Sequence, residues 1–447
     1  MENEGYDFRG KRVFVREDFN VLNEKGEVVN RKRIEKALPT IRFLVERGAI
    51  VILLSHQEVE VEEEGRKVKK TLSLAPVNFE LMRQLEHEVY FDTYSVTKEG
   101  VNLEWMDRLK PGQIFLAENL RRNPGEASKD VAAKEAFAEK LYEKADLVVL
   151  DGFGVFHRPH ASIVAVPARI PQAIGFLAEK EVTQLSRALE DPARPLVLIV
   201  GGKKLDEKVG MLKGLVRQMG KGDAILVGGL AAGPFLSVTE FPPSGNKLAG
   251  EVLVEMESRI GAIPEQMRAA YKIRESAAQR GADLIVANIL EEDPVSERIS
   301  LRKDIPPQDR ERFAEKIRSA KTIVWAGPMG KFEEPPYDEG TRAIAQAVVE
   351  ATQRGAVSVV GGGDTGAALE KLGLAEQVTL NSTGGSAALA FLSEGDLPVL
   401  ERLRELASFT SDNERARDGG RSFDSERSTP LRNRMPSVHA LEAAFFP

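Results

Sequence analysis

Short apolar runs alternate with longer amphipathic stretches along the whole chain, and this alternation leaves few possible folds. The runs predict buried parallel strands at residues 12–15, 50–54, 113–116, 147–150, 196–200, 224–227, 284–286, 322–325 and 356–360. Amphipathic helices are predicted at residues 33–46, 132–144, 308–319 and 341–353. The chain should therefore be an α/β protein with doubly wound, Rossmann-like parallel sheets, which bind ligands beyond the carboxyl ends of their strands.

A helical stretch that ends in prolines marks a boundary between two domains. Residues 176–190 have a helical pattern, and Asp191-Pro192-Ala193-Arg194-Pro195 ends the helix before a new strand begins. We predict an N-terminal domain at residues 1–175, an interdomain helix and hinge at 176–195, and a C-terminal domain at 196–385, with a cleft between the two domains. A return segment follows at residues 386–409.

Two segments lack a regular apolar pattern. Acidic residues 58–64 followed by basic residues 66–70 predict a solvated loop. Residues 410–447 are rich in Ser, Asn, Gly and Pro, which predicts a disordered tail.

Composition excludes several classes of function. The net charge of −7 disfavours nucleic-acid binding, and the absence of cysteine excludes thiolate metal sites and thiol nucleophiles. The acidic N-terminus does not resemble a signal peptide, and no apolar run reaches the ~18 residues that span a bilayer. We expect a cytoplasmic monomer that binds neither nucleic acid nor membrane.

Polar and basic residues in the N-terminal half follow predicted strands or begin a helix. Arg33 begins a helix, and its guanidinium can hold a carboxylate or phosphate through two hydrogen bonds. A lone arginine in a loop is more often solvated or ion-paired, so the prediction of an anionic ligand depends on the whole set. That set comprises Asp18, Asn20, Arg33, His56, Arg121 and Arg158.

Glycine-rich segments follow two predicted strands of the C-terminal half. They are Gly201-Gly202-Lys203-Lys204 and Gly361-Gly362-Gly363-Asp364-Thr365. Exposed amides and a helix N-terminus at such turns favour phosphate, and Lys204 and Lys208 would project from one helical face. The spacing is not that of the P-loop NTPases. A tight turn with surface lysines is an equally good interpretation of the first segment alone.

In combination, these motifs resemble the phosphoglycerate kinase family in order and spacing. The N-terminal half contributes Arg16-Glu17-Asp18-Phe19-Asn20-Val21, Ala37-Leu38-Pro39-Thr40-Ile41, Leu53-Leu54-Ser55-His56, Glu118-Asn119-Leu120-Arg121 and His157-Arg158-Pro159-His160-Ala161-Ser162. The C-terminal half contributes Gly201–Lys204 with Lys208, residues 325–333, Gly361–Thr365 and Ser382-Thr383-Gly384-Gly385. The resemblance covers about residues 10–400.

The resemblance implies a glycolytic enzyme that transfers a phosphoryl group reversibly between 1,3-bisphosphoglycerate and ADP, giving 3-phosphoglycerate and ATP. It implies that Arg33 and Lys204 stabilise the transferring group, that Glu333 binds the ribose and that Asp364 holds Mg²⁺. The acid substrate would be bound by Asp18, Asn20, Arg33, His56, Arg121 and Arg158. The nucleotide would also contact Gly201, Gly202, Lys208, Gly327, Gly362, Gly363 and Thr365.

Departures from the family pattern leave two functions open. After His56 the family has Leu-Gly-Arg-Pro, whereas this chain has Gln57-Glu58-Val59-Glu60, so one phosphate-binding arginine is lost and carboxylates are added. Residues 228–234, 287–289, 306, 326 and 386 also depart from the pattern. The first hypothesis is a working kinase. The alternative is a catalytically weak or inactive relative that acts as an anion-binding or partner-binding module.

Overall fold

The computed structural model describes residues 6–63, 65–203, 205–239, 263–292 and 299–406. Lys204 and the predicted tail at 410–447 lie outside these residues. The chain divides into two compact units, one formed by Met1–Val182 with Leu397–Pro447 and the other by Thr183–Asp396. We describe each unit by itself.

The first unit contains a six-stranded parallel sheet in the order β5-β6-β2-β1-β7-β8. Its strands, with a hairpin formed by β3 and β4, are β1 Arg12–Arg16, β2 Ile50–Leu54, β3 Glu58–Glu63, β4 Arg66–Thr71, β5 Val89–Asp92, β6 Ile114–Ala117, β7 Leu147–Leu150 and β8 Gln172–Ile174. The helices are α1 Arg31–Glu46, α2 Ala75–Leu85, α3 Val131–Leu141, α4 Ala161–Val164 and the first part of α5 Phe176–Glu190, which ends in the second unit. Short 3₁₀ turns lie at Glu104–Arg108, Leu120–Arg122, Pro124–Ala127 and Phe153–Val155.

The central strands of this sheet are buried because helices cover both faces. Every residue of β2, β6 and β7 is buried, and Ile34, Leu38 and Ile41 of α1 pack into the same apolar cluster. Helix α1 begins where the side chain of Asn30 accepts a hydrogen bond from the backbone N–H of Arg33. This N-cap fixes Arg33 in the first turn of α1.

The second unit repeats the design with a six-stranded parallel sheet in the order β11-β10-β9-β14-β15-β16. Its strands are β9 Leu196–Val200, β10 Ala224–Val227, β11 Asp283–Val286, β14 Thr322–Ala326, β15 Val357–Gly361 and β16 Leu380–Asn381, with an antiparallel pair β12 Leu290–Glu292 and β13 Ile299–Leu301. The helices are α6 Asp206–Val216, α7 Gly233–Thr239, α8 Ile263–Gln279, α9 Pro307–Ser319, α10 Glu339–Gln353, α11 Gly363–Lys371 and α12 Gly385–Glu394. Two 3₁₀ turns lie at Gly229–Ala232 and Ala375–Gln377.

The structure confirms the predicted fold class and each predicted strand, with strand ends that differ by one residue at most. The four predicted amphipathic helices are also present as α1, α3, α9 and α10. Helix α5 covers the predicted helix at residues 176–190, and the border between the two units falls within it.

The predicted solvated loop at residues 58–70 is wrong. These residues form the antiparallel hairpin of β3 and β4, in which Glu60 lies opposite Lys69, and Glu62 lies opposite Lys67. Opposite charges on facing strands and the cross-strand pair Val61–Val68 stabilise this hairpin, although most of its side chains are solvated.

Candidate active site

Three predicted site residues meet beyond the carboxyl end of β1. One guanidinium nitrogen of Arg33, Nη1, lies 3.2 Å from Oδ2 of Asp18 and donates to the backbone oxygen of Asn20 at 3.1 Å. The Asp18 side chain is 10% exposed and that of Arg33 is 22% exposed, so this ion pair is shielded from water and yet reachable. The arrangement presents a carboxylate, an amide and a guanidinium at one edge of the sheet.

His56 lies beyond the neighbouring strand β2 among the arginines. Its Nδ1 is 3.4 Å from Nη2 of Arg16, and its ring lies 5.8 Å from that of His160. Burial, reinforced by the charges of Arg16, Arg121, Arg158 and Arg33, holds the pKa of His56 well below its ordinary value. A neutral His56 can give a hydrogen bond to an anion while the arginines supply the charge.

Arg121 and Arg158 complete the basic cluster. In the turn Leu120–Arg122, Nη2 of Arg121 lies 2.8 Å from Nε2 of His160. Burial and the nearby charges of Arg16 and Arg121 lower the pKa of His160 to about 2, so this imidazole is neutral as well. Nε of Arg158 donates to Nε2 of His157 at 3.3 Å. The arginines, and not the imidazoles, therefore carry the positive charge of the cluster.

A carboxylate that sequence reasoning placed in a loop neutralises part of this cluster. Oε1 of Glu58 lies 3.1 Å from Nη1 of Arg121, in an ion pair whose side chains are 17% and 15% exposed. The adjacent Val59 is buried in β3, at the position where the family pattern has arginine. A cavity of about 420 Å³, lined by Tyr94, Lys98 and both arginines of the Leu120–Arg122 turn, opens beside Arg121.

Sequence reasoning missed the buried network that supports these residues. Nε of Arg16 donates to Oγ of Ser162 at 2.9 Å, and Ser162 Oγ donates to Oε1 of Glu126 at 2.7 Å. Arg16 and Glu126 are fully buried, and burial raises the pKa of Glu126 against the opposing effect of Arg16. The available signal was a charged residue at the end of an apolar strand, since such a residue needs a buried partner.

In the second unit, three strand ends form a glycine-lined cradle. Gly201 donates its N–H to the oxygen of Ala326 at 3.0 Å, and Gly202 donates to that of Pro328 at 2.6 Å. Gly327 donates its N–H to Oγ1 of the buried Thr365 at 2.7 Å. These bonds tie together the ends of β9, β14 and β15.

Glycine is required where these loops touch. Gly327 has φ +100°, and a Cβ on it would overlap the carbonyl oxygen of Gly201. A Cβ on Gly201 would likewise overlap the carbonyl oxygen of Pro328. The close approach of backbone to backbone therefore leaves no room for a side chain at either position.

Helix α11 starts beside this cradle. Gly362 has φ +96° and precedes Gly363 and the exposed Asp364 in the first turn of the helix. A helix start of this kind attracts phosphate, and a carboxylate there can bind a cation carried with it. Among the residues that the structure describes, no group of three or more His, Cys, Asp or Glu side chains could hold a metal ion.

The structure describes Lys208 and Glu333 of the predicted nucleotide site. Lys208 is buried in α6, and its Nζ lies 3.9 Å from the place of a Cβ on Gly202. The helix begins at Asp206, after Lys204, and Lys204 lies outside the described residues. The backbone oxygen of the exposed Glu333 accepts a hydrogen bond from Nζ of Lys371 at 3.3 Å. Lys371 is the last residue of α11, so its side chain links the Glu333 backbone to the end of this helix.

Comparison with known proteins decides the family. The family description "Phosphoglycerate kinase" matches residues 4–395. A phosphoglycerate kinase of Chloroflexus aggregans is 38% identical over 415 residues, which cover 89% of this chain and 97% of that protein. The chain belongs to the phosphoglycerate kinase family. Another relative of the same name, from Thermosipho africanus, is 38% identical over 88% of this chain and 94% of its own length.

Solved structures of phosphoglycerate kinases resemble the chain in fold as well. That from Coxiella burnetii is 35% identical, with a TM-score of 0.68, and the match covers 90% of this chain and 97% of its own. That from Pyrococcus horikoshii is 27% identical, with a TM-score of 0.73, over 90% of this chain and 98% of its own. Each helix in the described parts of this family member is too short or too polar to cross a membrane.

Proposed function

We propose that this protein catalyses reversible phosphoryl transfer between 1,3-bisphosphoglycerate and ADP, giving 3-phosphoglycerate and ATP. The observation that carries the proposal is the joint presence, in a member of this family, of a basic cluster in one unit and a glycine-lined cradle in the other. The first suits a small phosphorylated acid, and the second suits the phosphates of a nucleotide.

The acid substrate would bind to the N-terminal unit. Asp18 and Asn20 would hydrogen-bond its hydroxyl and carboxylate end, and Arg33 would balance the charge there. His56, Arg121 and Arg158 would receive the phosphate, because the two arginines supply positive charge and the neutral His56 can donate a hydrogen bond. Arg33 would in addition stabilise the transferring phosphoryl group.

The nucleotide would bind to the C-terminal unit. The N–H groups at the start of α11 would bind the phosphates. Gly201, Gly202 and Gly327, whose own N–H groups are bonded within the cradle, would let the backbone approach them, and Thr365 would fix the Gly327 loop. Lys208 would neutralise the phosphates and Lys204 the transferring group. Glu333 would bind the ribose, as the resemblance to the family implies.

Mg²⁺ fits Asp364, because this ion is commonly held by one or two carboxylates together with substrate phosphates. When bound, the ion would supply positive charge to the phosphate oxygens. The residues of the chain would position the two substrates and neutralise the charge on the transferring phosphoryl group. No covalent nucleophile is needed. We further propose a cytoplasmic monomer that acts in glycolysis and has small-molecule substrates only.

The alternative, a non-catalytic anion-binding module, has less support. The relatives described above carry the name of the enzyme. The Glu58–Arg121 ion pair is the observation most favourable to the alternative, because it reduces the positive charge of the acid site.

Binding to each half-site can be tested separately by titration calorimetry. Arg33→Ala should abolish detectable binding of 3-phosphoglycerate and leave MgADP binding unchanged. Asp364→Ala should remove the Mg²⁺ dependence of ADP binding and leave 3-phosphoglycerate binding unchanged. If the parent protein binds neither ligand, or if each variant affects the wrong ligand, the proposed function fails.

A further inference from the structure

We propose that Glu58 is a specificity-determining residue, an internal anion on Arg121 that the phosphate group of the substrate must displace. The identity of that substrate rests on the proposed function, whereas the internal anion rests on the geometry of the N-terminal unit alone. Because of Glu58, the phosphate group adds less to the affinity of an acid than it would if Arg121 had no carboxylate beside it.

The ion pair between Glu58 and Arg121 is close and shielded from solvent. Glu58 Oε1 and Arg121 Nη1 are 3.1 Å apart, and both side chains are more than four-fifths covered. A shielded ion pair is screened less by solvent and salt than a pair on the open surface. The other amino group of Arg121, Nη2, contacts neutral His160. Glu58 therefore supplies the carboxylate in contact with this guanidinium.

Glu58 is also held in place through its backbone. Its N–H donates to Oδ1 of Asn20 at 3.0 Å. The preceding Gln57 is fully buried, and its Oε1 accepts the N–H groups of Val21 and Leu22 at 2.7 and 2.9 Å. The segment that carries Asp18 and Asn20 thus anchors the start of β3.

A tethered group of this kind competes at a high effective concentration, in the mM range for short connections. Any ligand that needs Arg121 must first break the Glu58–Arg121 ion pair. The free energy of breaking that pair is subtracted from the binding free energy of the ligand. A ligand that uses only Asp18, Asn20 and Arg33 loses nothing. Glu58 thus lowers the affinity only of ligands that place a phosphate or sulfate group on Arg121, and removing its charge should raise the affinity of those ligands alone.

The test compares Glu58→Gln, which keeps the shape and removes the charge, with Glu62→Gln. Glu62 lies on the same strand, is exposed and faces Lys67, so this control makes the same charge change away from Arg121. Calorimetry would measure three ligands: 3-phosphoglycerate, D-glycerate as the unphosphorylated acid, and sulfate as a probe of the phosphate end.

Glu58→Gln should bind both 3-phosphoglycerate and sulfate about 5- to 30-fold more tightly, which corresponds to about 1–2 kcal/mol. D-glycerate should not respond, and Glu62→Gln should change none of the three affinities. In an Arg121→Gln background the effect of Glu58→Gln should disappear, which separates competition for Arg121 from a general change of charge.

Unchanged affinity for sulfate in a folded Glu58→Gln protein would overturn the inference, and so would an equal gain for D-glycerate. If sulfate binds more tightly but neither protein binds 3-phosphoglycerate, the internal anion is supported and the proposed function fails. Circular dichroism verifies folding, and Glu58→Ala provides a second variant if the glutamine variant unfolds.

Discussion

Replacing the buried Glu17 by glutamine should stabilise the N-terminal unit by an amount that grows with pH. Glu17 is 1% exposed, and its Oε1 has no hydrogen-bond partner in the part of the chain that the structure describes. Burial, with the nearby charge of Asp151, raises the pKa of Glu17 well above its ordinary value of 4.5. The folded state therefore disfavours the ionised carboxylate.

The size of the effect follows from proton linkage. Below the ordinary pKa of 4.5 the carboxyl is protonated in both the folded and the unfolded chain, so ionisation costs nothing. Above it, the unfolded chain releases the proton while the folded chain retains it. The free energy of unfolding then falls by about 1.4 kcal/mol per pH unit until the folded pKa is reached. Glutamine does not titrate, so the advantage of Glu17→Gln should increase by that amount.

Urea unfolding at pH 4.5, 5.5 and 6.5 measures this difference. The matched control is Glu35→Gln, an exposed residue of α1, which should show no such trend. We expect Glu17→Gln to gain about 1 kcal/mol over the parent between pH 4.5 and pH 5.5, because the unfolded carboxyl is only half ionised at pH 4.5, and about 1.3 kcal/mol more between pH 5.5 and pH 6.5. A difference between the two proteins that stays constant with pH, or a variant that is less stable throughout, would refute the reasoning.

Three further changes test the nucleotide half. Lys204→Ala should abolish phosphoryl transfer without altering the circular dichroism spectrum, and near-parental turnover would exclude its proposed role. Gly327→Ala should weaken MgADP binding at least about tenfold, or about 1.4 kcal/mol, because the added Cβ overlaps Gly201. An unchanged MgADP affinity, measured by calorimetry, would contradict this. Thr365→Val removes the acceptor of the Gly327 N–H and should cost about 1–3 kcal/mol in the free energy of unfolding. Thr93→Val, at an exposed position of the first unit, serves as the comparison.

The strands were predictable because each is a buried apolar run bounded by turn residues. The hairpin of β3 and β4 was not, because its strands carry almost no apolar residues and depend on pairing between oppositely charged side chains. A charge pattern of this kind is the same in a loop and in a solvated hairpin. Only the partner strand distinguishes the two.

The candidate site was predictable as a set of residues but not as a set of contacts. Position after a strand identified Asp18, His56 and Arg121, since strand ends converge at one edge of a parallel sheet. The Glu58–Arg121 ion pair joins residues 63 positions apart, and no local pattern reveals it. The neutral state of His160 also depends on burial that the sequence does not display.

The most direct test of the account is a coupled steady-state assay of the purified protein with 3-phosphoglycerate and MgATP. The proposed function predicts ADP formation that requires the acid, the nucleotide and Mg²⁺ together, and that is lost in Lys204→Ala and in Arg33→Ala. No turnover by the folded parent protein at saturating concentrations of both substrates, or turnover that both variants retain, would contradict it.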